Sequence, residues 1–146
     1  HMAIVFVLSS IGASLISYSF MTGSSPSIGA SGALCGLLGY LTVYGYFRRK
    51  LLSSSFLNNM LLNIAVIAII GIGINYTRQQ GGTMIDNYAH LGGLLAGALY
   101  GLIQIPGDIT VDPREVSSTT ELVGIAALGI VIATCLFTIG MLLGWV

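Results

Sequence analysis

Apolar positions fall into five blocks along this chain, at about 3–21, 29–47, 56–76, 87–105 and 122–146. Each is close to the ~20 residues that a helix needs to cross a bilayer. The intervals between them read as turns: 22–28 with Pro26, 48–55, 77–86 with Gly81-Gly82, and 106–121. The pattern predicts an all-α fold, a polytopic transmembrane bundle of about five membrane helices. No long polar or low-complexity stretch divides the chain, so residues 1–146 are expected to form one domain.

Composition agrees with the pattern. Hydrophobic residues make up 55% of the chain and charged residues 7%, and the mean hydropathy is +0.92. A soluble domain carries about 25% charged residues to solvate its surface. Five basic and five acidic side chains in 146 residues are too few for that, so most of the surface must meet membrane lipid. The formal net charge of zero speaks against a nucleic-acid partner and against a polybasic grip on anionic lipid. Cys35 and Cys135 both lie in apolar blocks, without metal-ligand spacing, and are expected to be membrane-buried free thiols. His1-Met2 reads as an expression scar and is left out of the chemistry. No secretory signal is evident in the first block, which has no basic flank.

Charge also sets an expected orientation. Arg48, Arg49 and Lys50 lie together between the second and third blocks, and the positive-inside bias assigns that turn to the cytoplasm. Alternation then brings the starts of the second and fourth helices to the outer face.

Each of those starts carries a reactive side chain. The second helix opens with Ser27-Ile28-Gly29-Ala30-Ser31-Gly32, which puts Ser31 in a first turn where N–H groups are unpaired and the helix dipole is positive. Such a place suits an oxygen that carries negative charge during acyl transfer. Gly29 and Gly32 would let a substrate backbone approach. Small residues at helix starts also serve packing and capping alone. The fourth helix opens with Asp86-Asn87-Tyr88-Ala89-His90, with Asp86 as a cap and His90 the sole histidine outside the scar. An ionisable group at that depth calls for a partner. Gly93, Gly97 and Gly101 share the face of His90, and Ser31, Cys35 and Gly39 share a face of the second helix, beside Gly32 and Gly36. Two glycine-lined faces can approach to backbone contact, close enough for imidazole to reach hydroxyl. In the third block, Asn58, Asn59 and Asn63 suit hydrogen bonds between helices, or a loosely packed gating helix. Asp108, Asp112, Arg114 and Glu115 read as a solvated loop.

At these residues the sequence resembles the rhomboid family of intramembrane serine proteases. Gly29-Ala30-Ser31-Gly32 matches its Gly-x-Ser-Gly motif, and Ala89-His90-Leu91-Gly92-Gly93 matches its Ala-His-x-x-Gly motif. The likeness covers about 3–105. It implies helices three to six of a six-helix core plus a C-terminal extra helix, with the N-terminal helices absent from this chain. It implies a serine endopeptidase acting on transmembrane protein substrates, with Ser31 as nucleophile, His90 as base and neither metal nor organic cofactor. Two departures bear on activity. The family usually has an aromatic residue where Cys35 stands, stacked on the imidazole, and nothing before Ser31 matches its His-x-x-x-Asn oxyanion motif. The rival reading is a rhomboid-like pseudoprotease that binds transmembrane helices for trafficking or quality control. A transporter or channel would want intramembrane acidic residues, which are not seen. Substrate identity, oligomeric state and the choice of plasma or organelle membrane stay open.

Overall fold

The computed structural model of the chain describes residues 1–20, 30–77, 85–106 and 117–144. These residues form five α-helices: α1 Met2–Phe20, α2 Ser31–Phe47, α3 Ser54–Thr77, α4 Asn87–Gln104 and α5 Ser118–Leu142. The all-helical bundle expected from the apolar blocks is present. The larger differences are at the two ends of the fifth block, and α5 stops at Leu142, with Leu143 and Gly144 outside the helix. Helix α5 starts at Ser118 rather than near residue 122, because the Ser117 hydroxyl caps it by accepting from the Thr120 N–H at 3.3 Å. Residues 118–121 are thus the first helical turn and not a loop, while Asp108, Asp112, Arg114 and Glu115 lie outside the described residues.

Helices α1, α2 and α4 make the interior. α2 and α4 run parallel, with Gly32 beside Ala89 and Gly36 beside Gly93, while α1 runs antiparallel to both, with Ser9 against Gly36 and Ala13 against Gly32. α5 leans on α1, and α3 on α2 with a slight contact to α4. The interior is built of small residues, among them Ser9, Ala13, Ala33, Cys35, Gly36, Ala89 and Gly97, while large aliphatic side chains point outward from every helix. That inverts a soluble protein, and the physical reason is the solvent. Lipid tails are as apolar as leucine, so helices associate through close backbone packing rather than by hiding bulk.

α1, α3 and α5 are each long and apolar enough to cross a membrane. The interior helices α2 and α4 have 17 and 18 residues, about 26 Å at 1.5 Å per residue, and spend many positions on glycine. They need less lipophilic bulk because their neighbours meet the lipid. The protein is an integral, multi-pass membrane protein.

Two expectations are corrected. The close-packed seam joins three helices and not two: a side chain at Gly12 of α1 would meet Ala96 Cβ at 2.7 Å and the Gly92 carbonyl at 3.1 Å. Asn58, Asn59 and Asn63 are exposed and make no interhelical hydrogen bond among the described residues. Both cysteines are free thiols: Cys35 is buried among the helices, and Cys135 is exposed on α5, a helix long and apolar enough to cross a membrane. The basic turn is also less open than its composition suggests, since Arg48 caps the end of α2 at 1% exposure. Arg49 and Lys50 are exposed, with the Arg49 guanidinium 5.2 Å from the centre of the Tyr46 ring.

Candidate active site

α2 begins at Ser31. Ala30 occupies the cap position and offers no side-chain acceptor, and the first intrahelical bond described runs from the Leu34 N–H to the Ala30 carbonyl at 3.0 Å. The N–H groups of Ser31, Gly32 and Ala33 therefore have no acceptor within the helix, as at any helix start. Ser31 is exposed at this end. Gly32 is buried, and a side chain there would meet Ala13 Cβ at 2.6 Å and the Ala89 carbonyl at 3.2 Å. It therefore serves the seam rather than opening a path for substrate, and only its N–H can serve the site. Gly29 lies outside the described residues.

α4 begins one turn before His90. The Asp86 carboxylate accepts from the Ala89 N–H at 2.8 Å, and the His90 N–H donates to the Asp86 carbonyl at 3.2 Å. His90 Nε2 lies 3.0 Å from Ser31 Oγ. That is the reach a hydroxyl and its base require, about 2.6–3.2 Å. Among the described residues, the buried His90 Nδ1 has no hydrogen-bond partner and no aromatic ring packs on the imidazole. In the neutral tautomer whose Nε2 accepts a hydrogen bond from the hydroxyl, Nδ1 carries the ring N–H. The ring is held by one side-chain hydrogen bond and by the placement of its own backbone.

The glycine seam explains how residues 59 positions apart meet. A Cβ at Gly93 would land on the Gly32 carbonyl, one at Gly97 on the Gly36 carbonyl, and one at Gly39 on the Leu94 carbonyl. The two backbones touch over these turns. Gly101 is looser: its nearest neighbours would be Val43 Cβ at 3.2 Å and Tyr40 Cδ2 at 3.3 Å. The helices are thus closest toward the end that carries Ser31 and His90 and part slightly toward the other.

Several polar contacts around the site were not legible in the motifs. Ser17 of α1 donates its hydroxyl to Asp86 Oδ2. Asn75 of α3 grips the residue before it, donating to the Ile85 carbonyl at 2.8 Å and accepting from the Ile85 N–H at 2.9 Å. The Asn87 amide lies against Gly71 of α3. A cavity of ≈ 160 Å³ between α2, α3 and α4 is lined by His90, Cys35 and aliphatic residues including Leu38, Ile67 and Leu94. One signal was available: Val5, Ser9, Ala13 and Ser17 recur every four residues and form the buried face of α1, a small-residue stripe without glycine.

Comparison with known proteins gives the arrangement a lineage. The Rhomboid domain family matches residues 1–107, which takes in α1 to α4. The chain is 40% identical over 79 residues to Rhomboid protease GluP of Bacillus subtilis, covering 54% of this chain and 14% of that protein. It is 33% identical over 108 residues to the mitochondrial RHOMBOID-like protein 6 of Arabidopsis thaliana, covering 70% of this chain and 31% of that protein. RHOMBOID-like protein 4 of the same plant is 30% identical over 103 residues, or 70% of this chain and 24% of that protein. The chain thus spans less than a third of the length of these relatives. No solved structure gives a significant match. The match over most of the chain, on a helical membrane bundle of this design, makes the chain a member of the rhomboid family.

Proposed function

We propose that this domain is the catalytic core of an intramembrane serine endopeptidase that cleaves transmembrane protein substrates. The observation that carries the reading is the 3.0 Å approach of His90 Nε2 to Ser31 Oγ at the open start of a helix. His90 takes the hydroxyl proton as Oγ attacks the carbonyl carbon of the scissile peptide. The N–H groups of the first turn of α2, that of Gly32 included, face the developing oxyanion with the positive end of the helix dipole behind them. His90 then gives its proton to the amine as the C–N bond breaks. Water, activated by the same imidazole, releases the acyl group from Ser31. The likeness to a protein named a rhomboid protease supports the assignment. Lipid is the medium, and neither a nucleic-acid partner nor a cofactor has a part in these steps.

The test is labelling by a fluorophosphonate probe, followed by cleavage of a single-pass membrane protein, with the protein at full length. Labelling and cleavage should both be lost in Ser31→Ala and in His90→Ala. The double variant should be no worse than either single one, because the pair acts as a unit. Cleavage that survives Ser31→Ala would remove the serine mechanism. A folded protein that neither labels nor cleaves would instead fit a helix-binding pseudoprotease.

A further inference from the structure

We infer that Ser17 and Asn75 are positioning residues for His90, together clamping the start of α4 from both sides. The inference rests on the dyad proposed above and adds the means by which it is kept in register. The imidazole makes one side-chain hydrogen bond, to Ser31, its Nδ1 has no partner, and no ring packs on it among the described residues. Its direction must come from the backbone beneath it. That backbone begins at residues 85 and 86, just before α4, and each is held by a different helix. Asn75 of α3 closes a two-bond ring with the backbone of Ile85, at 2.8 and 2.9 Å. Ser17 of α1, 7% exposed, donates to Asp86, whose other carboxylate oxygen caps α4 at the Ala89 N–H.

The clamp has a physical use. A helix end frays when its first N–H groups are unsatisfied, and His90 lies one turn inside such an end. A shift near 1 Å in a catalytic group can lower a rate about 10²-fold. The glycine seam limits how far α4 can part from α2, but it does not stop the first turn of α4 from unwinding. The two side-chain ties do that from opposite sides, and both are part-buried, which limits the water that can compete for the same bonds.

Hydrogen–deuterium exchange and kinetics on the full-length protein in detergent test the two halves separately. Ser17→Ala and Asn75→Ala should each speed exchange across residues 85–93 while leaving α5 unchanged. Each should also lower kcat about tenfold or more with KM little altered, because an interaction used in the transition state is lost and substrate binding is not. Ser17→Thr, which keeps the hydroxyl, should restore both readouts to within about twofold of wild type. Asp86→Asn, which keeps acceptors for the cap, should exchange less than Asp86→Ala. Unchanged exchange across 85–93 in both alanine variants would overturn the clamp, whatever the activity. Faster exchange with unchanged kcat would overturn its role in positioning. A wild-type protein inert toward the fluorophosphonate would refute the dyad and with it the positioning role, while exchange would still decide the clamp itself.

Discussion

At the scale of single residues the site is a polar pair at one end of an apolar bundle, and its chemistry depends on which nitrogen holds the proton. Metal removal gives a check: on the dyad proposed above, proton transfer and attack both belong to Ser31 and His90, so EDTA should leave cleavage unchanged, and loss of cleavage in EDTA would overturn that reading. Ser31 and His90 were legible from sequence because each is a reactive residue in a helix's first turn beside glycines. Ser17 and Asn75 were not, since a serine in a serine-rich helix and an asparagine near a helix end carry no pattern. Four serines of α1 illustrate the point: Ser10, Ser14 and Ser19 bond the carbonyl four residues back in their own helix, while Ser17 reaches α4. Only packing distinguishes them.

At the scale of elements, glycine spacing sets how close two helices come, and glycines differ according to what they face. Gly97→Leu should force α4 off α2, because its side chain would start on the Gly36 carbonyl, with Gly36 Cα at 2.7 Å. Overpacking of this kind costs about 1–3 kcal/mol, and cleavage should fall further, as the dyad is at the end of the same seam. Thermal unfolding in detergent and cleavage measured side by side check this, and wild-type values for both would defeat the seam argument. Gly129 of α5 has nothing within 4 Å of its missing side chain. Gly129→Ala should accordingly be neutral or stabilising by up to ~1 kcal/mol through helix propensity alone. Equal losses in the two variants would show that glycine matters here for helix flexibility rather than contact. The matching stripes on α2 and α4 were readable in advance. The part of α1 was missed because it brings a single glycine, Gly12, and otherwise uses serine and alanine, and serine on a helix face is ambiguous between packing and capping. The asparagines of α3 misled in the opposite way: composition suggested interhelical bonds for Asn58, Asn59 and Asn63, whereas it is Asn75 that ties α3 to another segment, at Ile85 just before α4.

At the scale of the whole molecule, alternating helices put the starts of α2 and α4 at one end and the basic turn after α2 at the other. Cysteines introduced for Arg49 and for Tyr88, both exposed, should react with impermeant reagents from opposite sides of a sealed membrane, the first from the cytoplasmic side. Substrates should be cut near the face that Tyr88 marks, beside helix-breaking residues, because a peptide bond inside a helix is shielded until the helix unwinds. Reaction of both cysteines from one side would reverse that placement. The sequence by itself determined the solvent, the five helices among the described residues and the placing of Ser31 and His90 in helix first turns, since these follow from hydropathy, segment length and residue chemistry that act locally along the chain. Tertiary structure decided the rest. Which small residues face one another, how α1 joins the seam, and which polar side chains hold the start of α4 depend on distances between segments far apart in sequence, and no local propensity encodes those.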